Sequence, residues 1–135
     1  MLMVPISWGD FVDKLTILEI KVTKASSERS LGNVKREYQG LFDVAGSEFE
    51  VNKALSQLRD ELKAVNQRLW EIEDNIRFKE KTQSFDEDFI ALARSVYINN
   101  DNRALIKRNI NLLMKSDLVE EKFYADYGFE KRNRY

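Results

Sequence analysis

Between residues 47 and 127 the chain contains neither glycine nor proline. These two residues are the ones that most often force a chain out of a helix, so nothing in this stretch requires an interruption. The stretch also lacks the alternation of β-branched and polar residues that is typical of strands. The sequence therefore predicts an all-α chain whose central part is built from long helices.

Apolar residues in this stretch recur at alternating spacings of four and three, which places them along one side of a helix. The first series is Val51, Leu55, Leu58, Leu62, Val65, Leu69, Ile72 and Ile76. The second is Phe85, Phe89, Leu92, Val96, Asn99, Arg103, Ile106, Ile110 and Leu113. Two such series in succession predict a long antiparallel helical hairpin, over about residues 47–81 and 84–115.

A shorter apolar series predicts a helix over residues 7–25 that packs on this hairpin. Its members are Phe11, Leu15, Leu18, Val22 and Ala25. Residues 26–32 are polar and are predicted as a loop, residues 33–45 as a short helix, and residues 116–135 as a C-terminal tail. Because the chain has the length of one ordinary domain, we expect a single, elongated helical bundle over residues 1–135.

Helix boundaries are indicated by three serines that are each followed by an acid three residues later, the pattern of a capping box. The pairs are Ser7 with Asp10, Ser47 with Glu50, and Ser84 with Glu87. Gly46 suits the end of the short helix, where a glycine often takes the left-handed conformation.

The predicted helix over residues 47–81 is too long for a compact domain. It would measure about 52 Å at 1.5 Å per residue, whereas a compact domain of this size has a diameter of about 36 Å. The surplus apolar surface predicts a homodimer formed through the long helices. A third helix of the same chain packed along the exposed half is the alternative.

Composition excludes several classes of function. The chain has no cysteine and no histidine, so it lacks a thiolate nucleophile, the usual neutral base and the common zinc ligands; no metal and no cofactor are expected. No apolar run approaches the roughly 20 residues that span a bilayer. The apolar start, residues 1–6, lacks the basic leader of a signal peptide, which predicts a cytoplasmic location.

Charge argues against a nucleic-acid partner. The 22 basic and 23 acidic residues are interspersed and give a net charge of −1. A protein that neutralises phosphates normally carries a basic excess or a basic stripe. Only Lys131, Arg132 and Arg134 approach one, and they form a short tail.

Two polar residues, Asn99 and Arg103, occupy positions of the second apolar series. One interpretation is that the helix breaks at residues 99–102 and that Asp101 or Asn102 caps a further helix. The other is a continuous helix to about residue 114 with a buried polar layer, and the unbroken spacing favours it.

The partners of such a layer follow from the geometry of the hairpin. If the chain turns near residue 83, residues whose numbers sum to about 166 face each other. Buried amides need hydrogen-bond partners, and an arginine beside a lysine needs a carboxylate, such as Asp101, or a bound anion. The layer therefore either fixes the register of the hairpin or forms a small-ligand pocket. The candidate ligand-binding residues are Asn66, Gln67, Asn99, Arg103 and Lys63.

Several segments resemble a family of small bacterial and viral proteins that has no assigned activity. They are residues 4–10 (VPISWGD), 13–21 (DKLTILEIK), 64–77, 89–97 with Asn100 and Asp101, 107–111 (KRNIN) and 120–122 (EEK). The resemblance covers most of the chain outside residues 26–46. It implies no catalytic residues, but it directs attention to residues in or near the polar layer: Asn66, Asn100, Asp101, Arg103, Lys107 and Arg108.

No nucleophile is paired with a base in the sequence, so we assign no catalytic residues and do not favour an enzyme. The hypothesis that follows is a non-enzymatic helical interaction or oligomerisation module. The alternative is a small all-α ligand-binding protein or enzyme with an anion pocket between helices. The side chains for that pocket would be Arg59, Lys63, Gln67 and Arg103.

Overall fold

The computed structural model describes residues 1–128, which contain five helices and no strand. The helices are α1 (Trp8–Lys24), α2 (Glu28–Ala45), α3 (Glu48–Val51), α4 (Lys53–Lys81) and α5 (Glu87–Leu113). The predicted all-α class is confirmed. Residues 129–135, including the basic residues Lys131, Arg132 and Arg134, lie outside the described part.

α4 and α5 form the long antiparallel hairpin, and a tight turn joins them. Gln83 adopts the left-handed conformation (φ 52°) that glycine usually supplies at a helix end. The amide of Ser84 then donates to the carbonyl oxygen of Lys79 at 2.9 Å. Asp86, not Ser84, caps α5, since its side chain accepts a hydrogen bond from the amide of Phe89 at 3.0 Å. The predicted cap is therefore displaced by two residues.

The helix predicted over residues 47–81 is interrupted at Asn52. This residue is extended (φ −117°, ψ 96°) and caps α4 by accepting a hydrogen bond from the amide of Leu55 at 3.0 Å. Ser47 makes no capping hydrogen bond, and Gly46 has helical rather than left-handed backbone angles. Val51, the first member of the predicted apolar series, lies before the interruption and is 78% exposed.

α2 is longer than predicted. It begins at Glu28 rather than at residue 33, because Ser27 caps it by accepting a hydrogen bond from the amide of Ser30. The predicted loop over residues 26–32 therefore shrinks to a short connection. Half-buried residues on one side of α2 pack against the core; they are Tyr38, Leu41, Phe42 and Ala45.

α5 runs without interruption through residues 99–102. The continuous-helix interpretation is confirmed, and neither Asp101 nor Asn102 caps a further helix. The asparagines lie within a helix whose turns on both sides are apolar, and this context outweighs their weak helix propensity.

α1 crosses the hairpin obliquely. It starts beside the end of α5, where the amide of Gly9 donates to the Asn111 side chain at 2.6 Å. It ends beside α4, where Glu19 contacts Lys63. The two helices approach closely at Gly9, where an added Cβ atom would lie 2.6 Å from the carbonyl oxygen of Lys107. A glycine is required for this approach.

The core lies at this crossing. Its fully buried members come from α1, α4 and α5 and include Leu15, Leu18, Ile20, Leu55, Leu62 and Ile110. Between residues 67 and 103 no residue is buried. We refer to residues 67–102 as the distal hairpin, because this part of α4 and α5 extends beyond the crossing. None of the helices described is long and apolar enough to cross a membrane.

Candidate functional site

The buried polar side chains of the described chain gather where α1 crosses the hairpin. Three carboxylates of α1 each meet a cation of α4 or α5. The pairs are Asp10 with Lys107, Asp13 with Arg103, and Glu19 with both Arg59 and Lys63. Asp13 and Glu19 have largely buried side chains, whereas Asp10, about half a helical turn away from Glu19 around α1, is half-exposed and is reached by Lys107.

Asp13 is the centre of this arrangement and is only 6% exposed. It accepts two hydrogen bonds from the guanidinium of Arg103, at 2.9 and 2.5 Å, and a third from the Asn66 amide at 2.9 Å. The same amide lies 2.9 Å from the Thr16 hydroxyl, which donates to the Asp13 carbonyl oxygen. The hydrogen bonds to Asp13 raise the pKa of Arg103. A bidentate contact between a guanidinium and a carboxylate is among the strongest between side chains.

Lys107 joins α1 to the segment that follows α5. Its ammonium lies 2.9 Å from both Asp10 and Glu120, and Glu120 in turn contacts Lys122 at 2.7 Å. Burial lowers the pKa of Lys107, but the hydrogen bonds to the two carboxylates outweigh this effect, so its pKa is raised. The ammonium is therefore held between protein carboxylates.

Arg59 lies at the other end of α1. It contacts Glu19 and lies over the ring of Phe49 at 4.4 Å, a cation–π distance. Burial lowers the pKa of Arg59, whereas its hydrogen bond to Glu19 raises it, and the net change is upward. Of the cations considered for an anion pocket, Arg59, Lys63 and Arg103 each have a carboxylate partner.

The five residues predicted from the sequence do not surround one cavity. Asn66 and Arg103 meet through Asp13, whereas Lys63 lies beside Glu19 at 3.1 Å. Asn99 accepts a hydrogen bond from Arg68, and Gln67 is half-buried.

The carboxylate partner of Arg103 is Asp13 and not Asp101, which accepts a hydrogen bond from Tyr127. Asp13 was missed in the sequence analysis. The available signal was an acid inside an apolar stretch of α1, between Val12 and Leu15.

A groove lies in the angle between α1 and the distal hairpin, with a volume of about 490 Å³. Its apolar lining residues are Ile17, Ile20, Leu69, Trp70 and Val96. Its polar lining residues are Asn66, Glu73, Asp74, Arg77, Asn100 and Arg103. Such a groove suits an apolar group flanked by polar ones. Among residues 1–128, no group of three or more acidic side chains is placed to hold a metal ion.

Comparison with protein families matches residues 2–128 to a family of unknown function, DUF6165. No curated protein and no solved structure matches the chain. The match spans the five helices of the described residues and the polar contacts given above.

Proposed function

Because the chain belongs to the DUF6165 family, whose function is unknown, we propose a function from its geometry: a non-enzymatic helical interaction module that self-associates. The surface that association covers is the distal hairpin. The observation that carries this proposal is the absence of any buried residue between positions 67 and 103 of the described chain.

The distal hairpin presents large apolar side chains to solvent. Five of them are between 39% and 63% exposed: Phe78, Phe85, Ile90, Tyr97 and Ile98. Single exposed apolar residues are ordinary, but several on one pair of helices are typical of an interaction surface. The residues between the two helices, such as Ile72 and Leu92, are themselves only half-buried. Two helices alone do not complete this part of the bundle.

The polar contacts at the crossing support the same proposal over an anion pocket. Arg103 and Lys107 would be the cations of such a pocket, and each is held by carboxylates of the protein. An incoming anion would have to displace Asp13 from its bidentate contact with Arg103. The buried polar layer therefore serves to position α1 on the hairpin.

Sedimentation equilibrium over a wide range of protein concentration tests the proposal. We expect the full chain to form a species of twice 15.9 kDa at high micromolar concentration. Ile90→Glu and Phe85→Glu place a charge on the distal hairpin and should shift the equilibrium toward the monomer, because a buried charge without a partner is costly.

Val51→Glu is the matched control, since Val51 is an exposed apolar residue outside the distal hairpin. This variant should associate as the parent does. A 15.9 kDa species for the parent at every concentration would overturn the proposal. If Val51→Glu weakened self-association as much as Ile90→Glu and Phe85→Glu, the distal hairpin would not be the surface involved.

The alternative, an anion pocket at Arg103, has the groove in its favour, because this residue lines it. Thermal melts with inorganic phosphate decide between the two. Under the interaction-module proposal, phosphate leaves the melting temperature of the parent and of Arg103→Met equally unaffected. Stabilisation of the parent alone would favour the pocket.

A further inference from the structure

The chain that follows α5 turns back and runs along the same helix. The turn is made at Lys115, whose backbone is left-handed (φ 52°), and the amide of Ser116 then donates to the carbonyl oxygen of Asn111 at 2.9 Å. We call residues 116–127 the strap; they contain no helix and no strand. The strap therefore starts out antiparallel to α5.

Side-chain contacts hold the strap on α5 at two places. The first, the near anchor, joins Glu120 to Lys107 at 2.9 Å and lies at the crossing. The second, the far anchor, is Tyr127: its hydroxyl donates to the Asp101 carboxylate at 2.6 Å, and the centroid of its ring lies 5.1 Å from that of Tyr97. Tyr97 and Asp101 belong to the distal hairpin, so the strap reaches the surface proposed for self-association.

The strap is longer than the distance that it spans. From Lys107 to Asp101, α5 rises about 9 Å at 1.5 Å per residue, whereas residues 120–127 can extend over about 23 Å. Between the two anchors the side chains of Phe123 and Tyr124 are 92% and 82% exposed. Chain length therefore does not force the far anchor to form, and its closure depends on its own hydrogen bond and ring contact.

The two anchors differ in how well they are protected from water. The Lys107 side chain is 12% exposed, and Glu120 has a second cation, Lys122, at 2.7 Å. Burial raises the pKa of Glu120, but hydrogen bonds to Lys122 and Lys107 outweigh this effect, so its pKa is lowered and the carboxylate keeps its charge. The far anchor lies against the half-exposed ring of Tyr97, where water can replace the hydrogen bond more easily. The far anchor is therefore the one that opens first.

The far anchor occupies part of the surface that self-association would cover. Tyr97 is one of the five apolar residues of that surface and is 42% exposed with Tyr127 beside it. A partner that packs on the Tyr97 ring has to displace the Tyr127 ring from it. When only a fraction of the molecules is competent to bind, the apparent affinity falls by that fraction. A closed strap therefore lowers the affinity of the distal hairpin for a second copy.

We propose that the strap is an autoinhibitory segment, whose far anchor has to open before the distal hairpin can self-associate. This inference rests on the proposed self-association and names what regulates it. The near anchor stays closed, because Lys107 lies outside the distal hairpin and its ammonium also contacts Asp10 of α1. Opening therefore releases the end of the strap and leaves α1 in place on the hairpin.

Two single substitutions on the strap test the inference. Tyr127→Phe removes the hydroxyl that binds Asp101 and keeps the ring. In sedimentation equilibrium this variant should lower the dissociation constant of self-association by about tenfold, because the closed strap loses a hydrogen bond to a carboxylate. Tyr124→Phe is the matched control, since it removes the same group from an exposed position of the same strap. The control should leave the dissociation constant unchanged.

Limited proteolysis measures the opening of the strap separately from self-association. Chymotrypsin cleaves after aromatic residues, and cleavage after Phe123 requires the strap to lift from α5. At a concentration where the chain is monomeric, Tyr127→Phe should raise the rate of this cleavage severalfold. Tyr124→Phe should be cleaved after Phe123 at close to the rate of the parent. Mass spectrometry of the fragments identifies the bond that is cut.

The outcomes separate the inference from the function on which it rests. If the parent and Tyr127→Phe both stay monomeric at every concentration, self-association and the inference are both overturned. If the parent associates and Tyr127→Phe associates equally or more weakly, only the inference is overturned. Equal strengthening by Tyr124→Phe would also overturn it, because that hydroxyl lies outside the far anchor. Faster cleavage of Tyr127→Phe with unchanged association would show that the strap opens without uncovering the surface, which again contradicts the inference.

Discussion

The region around the crossing and the distal hairpin are built from the same two helices but differ in burial. α4 and α5 keep the same apolar spacing in both regions. Leu55, Leu62 and Ile110 are fully buried at the crossing, whereas Leu69 and Val96 in the distal hairpin are half-buried. The difference is α1, which covers only one end of the hairpin. A 4-3 repeat determines which side of a helix meets its neighbour, but full burial requires a third element.

The charges of the two regions differ in the same way. At the crossing, Asp13 and Arg103 join residues 90 positions apart, and the carboxylate is buried. In the distal hairpin, Glu73 and Arg77 lie on adjacent turns of one helix at 3.5 Å, and both are exposed. The first pair fixes the position of one helix on another, whereas the second acts only within its own helix. Ion pairs therefore hold α1 on the hairpin at the crossing, whereas in the distal hairpin they act within α4 or, as Lys79 with Asp86, across the turn between α4 and α5.

The largest expected contrast is between two core substitutions. Leu62→Ala removes a fully buried side chain at the crossing and should lower the free energy of unfolding by about 2–5 kcal/mol. Ile76→Ala removes a half-buried one in the distal hairpin and should cost clearly less, provided both are measured by urea denaturation at a concentration where the chain is monomeric. Equal losses for the two variants would contradict the contrast in burial.

A smaller effect is expected from the ion pairs. Arg103→Met leaves the buried carboxylate of Asp13 without its cation and should destabilise the monomer by about 2–4 kcal/mol, somewhat less than for a fully buried pair, because the arginine side chain is 30% exposed. Arg77→Met should change stability by only about 0–1 kcal/mol, as for other exposed pairs. Thermal and urea unfolding measure both. If Arg103→Met left the free energy of unfolding unchanged, the contact of Arg103 with Asp13 would not be what holds α1 on the hairpin.

The smallest of the three effects concerns the approach of α1 to α5. Gly9→Ala places a methyl group against the carbonyl oxygen of Lys107 and should cost about 1–3 kcal/mol, because the backbone has to move. Gly40→Ala is the control, since no atom lies within 4 Å of its added Cβ, and it should stabilise α2 by about 0.5–1 kcal/mol. Denaturation experiments in which Gly9→Ala lowers the free energy of unfolding and Gly40→Ala raises it would establish the close approach. A Gly9→Ala variant that is more stable than the parent would refute it.

Much of the fold was predictable from the sequence because it depends on local spacing. The burial of Leu62 between helices and the continuity of α5 through Asn99 follow from the spacing of four and three residues, which matches the helical repeat. The interruption at Asn52 was not foreseen, because the apolar spacing continues across it from Val51 to Leu55. At Asn52 the chain could either continue one helix or start a new one, and the side-chain hydrogen bond of Asn52 to the Leu55 amide favours the new start. The apolar spacing is the same in both cases and therefore does not distinguish them.

The polar site was predictable only in part, for a related reason. The hairpin register placed Asn99 opposite Asn66 and Gln67, and Arg103 near Lys63, whereas Arg103 and Asn66 both bind Asp13. It did not indicate Asp13, because the angle at which α1 crosses the hairpin depends on packing between residues far apart in the chain. Residues of one hairpin constrain each other through the turn, whereas a third helix can cross at several angles.

The contact of Gly9 with Asn111 also bears on the order of folding. It joins residues 102 positions apart, whereas Lys79 and Asp86 at the turn are seven apart. Distant contacts close large loops of chain and form slowly, so the hairpin should assemble first and α1 should dock late. Asn111→Ala should then accelerate unfolding and leave the folding rate nearly unchanged in stopped-flow experiments. A matching loss in the folding rate would place the docking of α1 in the transition state.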